Sequence, residues 1–130
     1  MIDHVILTVN DMQRSVVFYE KALIPFGVTE VIDYPGSDDH PHLVGFSKRN
    51  GNHFFWLKQG RADPEAIHVG IAAESQDVVN KFYQAAMAAG GRMKVPPAAQ
   101  LQYGADYYAT WVLDPDGHDI EVVNKTGRIK

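Results

Sequence analysis

The 130-residue chain is 45% apolar and 22% charged, which gives it enough material for one hydrophobic core and predicts a single globular domain. The absence of cysteine excludes disulfides, thiolate catalysis and cysteine-ligated metals, so any metal would be held by nitrogen and oxygen ligands. A net charge of −4 with scattered basic residues gives no patch suited to nucleic acid, and no apolar stretch reaches membrane-spanning length. With no signal-peptide pattern, the sequence predicts a cytoplasmic protein.

The first half of the chain reads as a β-α-β-β-β unit. Residues 2–9 alternate in polarity, which predicts a strand that is buried on one face and presents His4 on the other. Asn10 or Asp11 can cap a following helix, which ends before Pro25. The predicted elements are a strand at 2–9, a helix at about 12–23, and strands at about 28–34, 42–48 and 53–59.

The second half repeats this order. An offset of 64 residues aligns six identical residues within 24 positions, among them His4 with His68. The chain therefore reads as one α+β domain, residues 1–130, made of two βαβββ modules at 1–60 and 66–130. The predicted elements of the second module are strands at 67–73, near 92–95, at 107–113 and at 118–124, with a helix at about 76–89 and a tight turn at 114–117.

One such module cannot bury both faces of its sheet alone. We therefore expect the two four-stranded sheets to face each other, or the sheets of a second chain, as a concave surface with the helices on the outer faces. A concave surface of this size leaves apolar strand faces that one chain does not cover, which predicts a homodimer. Strand parity places His4, His68 and Glu121 on the inner face.

The second-module strand that contains Glu121 is otherwise apolar, and an ionised carboxylate there is costly unless a cation faces it. Two imidazoles and one carboxylate form a set that binds Fe, Mn, Zn or Ni and leaves positions open for water or substrate. Taken singly, His4 and His68 could be core histidines satisfied by the backbone, and Glu121 an edge carboxylate in water. Their joint occurrence at related places in two modules favours a divalent metal bound by His4, His68 and Glu121.

Aromatic residues supply the candidates for substrate binding. Trp56 takes the place in the first module that Glu121 takes in the second, either as a pocket wall or as plain packing. A tyrosine hydroxyl could bind a substrate oxyanion, although strand tyrosines more often pack. The candidate catalytic residues are Glu121 and Tyr108. The candidate substrate-binding residues are Trp56, Tyr103, Tyr108 and Trp111, and Tyr107 is a further phenol in the same segment.

Two other features carry expectations. Residues 96–106 form the longest non-repetitive loop and are expected to act as a lid. His53 and His118 stand at equivalent places beside the turns and are expected at the surface or at a subunit contact, because strand parity turns them away from the metal.

The segments Ile2-Asp3-His4-Val5, Ile67-His68-Val69 and Asp114-Pro115-Asp116-Gly117 with Glu121 resemble the motifs of the vicinal oxygen chelate superfamily. This superfamily includes glyoxalase I, bleomycin-resistance proteins, fosfomycin-resistance transferases and extradiol dioxygenases. The resemblance covers essentially the whole chain. It implies paired βαβββ modules, a divalent metal at His4, His68 and Glu121, and a small substrate whose neighbouring oxygens chelate that metal.

The chain departs from each of these activities. Glyoxalase I has a second carboxylate where Trp56 stands, and fosfomycin-resistance enzymes have threonine where Ile6 stands. Extradiol dioxygenases carry an acid–base histidine that has no counterpart between Pro96 and Asp114. The resemblance therefore implies a metal-dependent lyase, dioxygenase or transferase without selecting one.

Two hypotheses of different kinds remain. In the first, the protein is an enzyme whose metal acts as a Lewis acid on a bidentate small molecule. In the second, it is a metal-free binding protein of the bleomycin-resistance type, which sequesters a planar ligand in a groove lined by Trp56, Tyr108 and Trp111.

Overall fold

The computed structural model describes residues 1–130 and contains two βαβββ modules, so the predicted order of elements is confirmed in both halves. The first module comprises β1 (Val5–Val9), α1 (Met12–Ala22), β2 (Val28–Tyr34), β3 (Leu43–Lys48) and β4 (Phe55–Gln59). The second comprises β5 (His68–Ala72), α2 (Gln76–Ala88), β6 (Arg92–Ala99), β7 (Tyr108–Leu113) and β8 (Asp119–Asn124).

Each module forms its own four-stranded sheet, with the strand orders β1-β4-β3-β2 and β5-β8-β7-β6. The first strand of each module runs parallel to the last, and the other pairings are antiparallel. In register, Ile6 lies beside Trp56 and Gly70 lies beside Glu121. Trp56 and Glu121 therefore occupy matching places in the two sheets. β1 and β5 are edge strands.

The two helices begin at side-chain caps. Asp11 accepts a hydrogen bond from the backbone N–H of Arg14 at 3.1 Å, and Ser75 accepts one from Val78 at 3.3 Å. Such a cap satisfies an N–H group that has no partner within the helix, and it contributes about 1 kcal/mol. Neither helix is long and apolar enough to cross a membrane.

The helices lie between the two sheets, so the expectation that they cover outer faces is wrong. α1 packs on the first sheet, α2 packs on the second, and the two helices contact each other. The physical reason is that both helices contribute buried apolar side chains, such as Phe18 and Phe82, to one continuous core of 19 residues. The sheet faces turned away from the helices remain open, and Ile6 on the first of them is 46% exposed.

Gly91 lies where the end of α2 meets α1. A Cβ at this position would stand 2.9 Å from the backbone oxygen of Ala86 and 2.9 Å from Cε1 of Phe18. Because the first is backbone and the second is fully buried, we expect Gly91→Ala to lower the free energy of unfolding by about 1–3 kcal/mol in urea titrations. Gly104→Ala is the control, since its nearest neighbour would be 3.8 Å away; equal midpoints for the two variants would contradict the prediction.

The expected lid is shorter than predicted. β6 extends to Ala99, and only residues 100–107 connect it to β7. β6 accommodates Pro96 and Pro97 because it is an edge strand and because its pairing with β7 shifts register between Val95 and Ala98. A lid spanning 96–106 is therefore wrong in its extent.

Candidate functional site

His68 and Glu121 lie side by side on the open face of the second sheet. Parallel pairing of β5 with β8 puts His68 next to Asp119 and brings Glu121 one step further along the same face. Nε2 of His68 is 3.0 Å from Oε1 of Glu121, and Nδ1 is 3.3 Å from Oδ2 of Asp119. The imidazole therefore lies between two carboxylates.

Tyr107 covers the Glu121 carboxylate, which is 6% exposed although it belongs to an open face. The Tyr107 hydroxyl donates a hydrogen bond to Oε2 of Glu121. Burial, followed by this hydrogen bond, raises the pKa of Tyr107 to about 12, so the phenol remains a donor at neutral pH. One oxygen of Glu121 is thus held by Tyr107 while the other faces His68.

The structure does not bring His4 to this pair. Nδ1 of His4 lies 2.6 Å from Oδ1 of Asp3, and the amide of Asn52 donates to the backbone oxygen of Asp3 at 3.1 Å. The hydrogen bond with His4 is the largest cause that lowers the pKa of Asp3. Within one chain, His4, His68 and Glu121 do not form a group whose ligand atoms all lie within 4.8 Å of one another.

The turn at residues 114–118 does bring three such side chains together: ligand atoms of Asp114, Asp116 and His118 all lie within 4.8 Å of one another. Both oxygens of Asp114 already accept hydrogen bonds, Oδ1 from two backbone N–H groups at 2.9 Å and Oδ2 from the Tyr19 hydroxyl at 2.6 Å. Asp116 accepts from Arg14 at 2.7 Å and from a backbone N–H at 3.2 Å. Because a cation would displace these donors, we interpret the group as the frame of the β7–β8 turn.

His118 belongs to this frame, and the expectation that it lies at the surface is wrong. It is 1% exposed, with Nδ1 2.8 Å from Oδ2 of Asp114. Burial alone would raise the pKa of Asp114, but the hydrogen bonds with His118 and Tyr19 outweigh burial and the pKa is lowered. Burial, together with the neighbouring Asp114, raises the pKa of Tyr19 well above its usual value.

Trp56 lies flat on the open face of the first sheet. Its Nε1 donates a hydrogen bond to the backbone oxygen of His53 at 2.8 Å. The Tyr34 ring stacks on the indole, with 5.6 Å between the ring centroids and 9° between the ring planes. Gly45 makes this possible, because a Cβ there would stand 2.7 Å from the indole. The result is a fixed aromatic surface in the place that a carboxylate takes in the second module.

The other aromatic candidates divide between two faces. Trp111 pairs in register with Glu121 on the open face, and the ring of Tyr103 lies 5.3 Å from that of Tyr107. Tyr108 instead donates to Asn80 of α2 at 2.7 Å, so it faces the helix and not Glu121. The geometry therefore does not support the expected catalytic and substrate-binding roles of Tyr108. The two-residue period already pointed to Tyr107, which shares the parity of Trp111.

The family model of the Glyoxalase/Bleomycin resistance protein/Dioxygenase superfamily matches residues 1–122. The chain belongs to this superfamily. Its members generally bind divalent metals and small-molecule substrates. No curated protein matches the chain.

Solved structures of the superfamily share the fold. A glyoxalase/bleomycin resistance protein from Albidiferax ferrireducens is 24% identical with a TM-score of 0.73, and the match covers 94% of this chain and 96% of that one. A structure described as a possible glyoxalase from Bacillus cereus is 26% identical with a TM-score of 0.62, over 95% and 97% of the two chains. A mutant of glyoxalase I from Zea mays is 22% identical with a TM-score of 0.71; the match covers 95% of this chain and 46% of that one.

The side chains of His68 and Glu121 are suited to bind a divalent metal ion of the kind that members of the superfamily bind. The pair offers one imidazole nitrogen and one carboxylate oxygen 3.0 Å apart, which is the ligand chemistry of Fe, Mn, Zn and Ni sites. A site with two protein ligands is incomplete, because such centres usually take three or four. His4 remains the candidate for the third ligand, and one chain does not supply it to its own pair.

Proposed function

We propose that the protein is a metal-dependent enzyme of the glyoxalase superfamily, whose divalent ion is bound by His68 and Glu121 of one chain and by His4 of a second copy. The observation that carries the proposal is the 3.0 Å approach of Nε2 of His68 to Oε1 of Glu121. Two ligand atoms at this separation on an accessible face suit one cation.

The position of the helices supports the requirement for a second copy. His4 and Glu121 belong to sheet faces that turn away from the helices, and the helices lie between the sheets. A twofold homodimer would place the first module of one chain against the second module of the other, so that the dimer has two equal sites. It would also cover Ile6 and the aromatic surface of Trp56.

The surrounding residues favour an oxygen-rich small substrate. The metal would supply Lewis acidity toward two neighbouring substrate oxygens. Tyr107 donates its single hydroxyl hydrogen to Glu121 and so holds that carboxylate in place, while the lone pairs of the phenol oxygen could accept a hydrogen bond from a substrate hydroxyl. Trp56 and Trp111 would form flat walls on opposite sides of the site. Isomerase or lyase, dioxygenase and transferase chemistry all remain within this proposal.

The second candidate function is sequestration without catalysis. The stacked pair of Tyr34 and Trp56 favours it, because a fixed indole over Gly45 is a ready surface for a planar ligand. A planar aromatic probe that quenches Trp56 fluorescence equally in metal-free and metal-treated protein, with Trp56→Phe as the control, would support this function over the metalloenzyme.

Mixing two defective variants tests the shared site. His4→Ala and Glu121→Gln should each lose the metal, but co-refolded dimers that contain one chain of each kind have one site with all its ligands intact. We therefore expect the mixture to recover about one quarter of the wild-type metal content by statistical pairing. Light scattering checks that wild type and variants are dimers. If the mixture forms dimers but recovers no metal, the site lies within one chain, and the proposal that two chains share it is overturned.

A further inference from the structure

We propose that Asp3 and Asp119 are positioning residues, which hold Nδ1 of His4 and of His68 so that Nε2 of each ring faces the ion. The inference rests on the proposed metal site and goes beyond its ligands. Both histidines have an aspartate at the same ring atom: Nδ1 of His4 makes a 2.6 Å hydrogen bond with Oδ1 of Asp3, and Nδ1 of His68 lies at an ion-pair distance of 3.3 Å from Oδ2 of Asp119.

The two carboxylates come from unrelated places in the repeat. Asp3 directly precedes its histidine, whereas Asp119 reaches His68 from the neighbouring strand β8. The repeat equivalent of Asp3 is Ile67, and that of Asp119 is Phe54. Duplication of one module therefore does not explain why the two imidazoles share this contact, and a common requirement of the two rings does.

The Asp119 carboxylate is only half satisfied by hydrogen bonds. Its Oδ1 is buried without a hydrogen-bond partner, which destabilises the folded state. Its Oδ2 lies between His68 and Lys94, whose Nζ is 2.6 Å away. Lys94 balances the charge and anchors the carboxylate beside the His68 ring.

Asp3 is anchored in a comparable way. The Asn52 amide donates to the backbone oxygen of Asp3 at 3.1 Å and approaches its Oδ2 at 3.4 Å. Each aspartate is thus held from one side by a cationic or amide donor, Lys94 or Asn52, and presents an oxygen to a histidine on the other.

A hydrogen bond at Nδ1 determines whether Nε2 of the same ring can bind a metal. A neutral imidazole that donates its Nδ1–H to a carboxylate keeps its lone pair on Nε2, and the carboxylate makes that nitrogen a stronger ligand. In His68, Nε2 lies 3.0 Å from Oε1 of Glu121, so without an ion a proton is shared between these two atoms, and a bound ion would take the place of that proton. Loss of such a partner typically weakens metal binding about 10- to 100-fold.

The test is a Zn²⁺ titration against a competing chelator, using metal-free Asp119→Asn and Asp3→Asn. We expect the Kd for Zn²⁺ to rise about 10- to 100-fold in each variant, with partial rescue in Asp119→Glu. Asp39→Asn, an exposed change in the β2–β3 loop, should leave the Kd unchanged. Asp3 is exposed and outside the core, so its variant remains informative if Asp119→Asn folds poorly.

Long-range ¹H–¹⁵N spectra of the histidine rings supply a readout that a merely structural role would not move. The Zn²⁺-loaded wild type should show a protonated Nδ1 in His4 and His68, and each variant should change the ring signals of its own histidine. If Asp3→Asn and Asp119→Asn bind Zn²⁺ as tightly as the wild type, while Glu121→Gln loses the metal, the positioning role is overturned and the proposed metal site stands. If the wild type binds no metal, the proposed function fails. The positioning role is then tested by the ring spectra of the metal-free proteins, and it is overturned if the histidine signals are the same in both variants as in the wild type.

Discussion

Glu121→Gln is expected to retain the fold and to lose at least about 100-fold in affinity for a divalent ion. The amide keeps the size of the carboxylate but not its charge, and a neutral amide is a poor ligand for Zn²⁺ or Fe²⁺. In the folded protein the change also replaces the acceptor of the Tyr107 hydroxyl by a group that can keep that hydrogen bond through its carbonyl oxygen. The loss should therefore appear in metal content and not in stability.

Metal analysis of protein purified without an immobilised-metal column measures this effect, with urea denaturation as the check on folding. Glu74→Gln, an exposed residue between β5 and α2, is the matched control and should bind metal as the wild type does. Equal metal content in Glu121→Gln and Glu74→Gln would remove Glu121 from the site. Equal urea midpoints for Glu121→Gln and wild type would show that any loss of metal is local.

The sequence predicts the modules well because the relevant signals are local. Strand alternation, helix caps and the two-residue period act within a few residues, and the offset between His4 and His68 makes the duplication visible. β2, for example, spans Val28–Tyr34 as predicted. Parity likewise puts Ile6 and Trp56 on one open face.

The relation between the modules was not predictable in the same way. The amphipathic pattern of α1 and α2 shows that each helix is buried on one side, but not whether it is buried by its own sheet alone or also by the other helix. Phe18 and Phe82 settle this through contacts between residues far apart in the chain. The same holds for the proposed site, because its proposed ligands His4 and Glu121 come from different modules.

Tyr107 and His118 show two further limits. The two-residue period puts Tyr107 on the face of Trp111, but it does not show that the Tyr107 hydroxyl meets Glu121, because that contact depends on how β7 pairs with β8. The burial of His118 depends on Asp114 and on Tyr19, which lies 95 residues away. A turn sequence predicts the turn, but it does not reveal a partner supplied by α1.

Asp114→Asn is expected to lower the free energy of unfolding by about 3 kcal/mol or more at neutral pH. The buried carboxylate accepts from the Tyr19 hydroxyl, from two backbone N–H groups and from His118, so it joins the first module to the turn of the second. An amide offers one acceptor oxygen and two N–H donors, which leaves buried donors without acceptors. Tyr19→Phe removes one of these hydrogen bonds at nearly constant volume and should cost about 1–2 kcal/mol. Asp39→Asn serves as the exposed control.

The effect of Asp114→Asn should depend on pH, with a sign fixed by the lowered pKa of Asp114. A carboxyl whose pKa is lower in the folded than in the unfolded chain stabilises the fold above its unfolded value, here 3.8, and loses that contribution as the pH falls through the folded pKa. The wild type should therefore lose stability below about pH 4, while Asp114→Asn lacks this part of the acid response. Urea midpoints of the two proteins should be furthest apart at neutral pH and should converge as the solution becomes more acidic. A constant gap between them down to about pH 2 would show that the ionised carboxylate of Asp114 does not hold the two modules together.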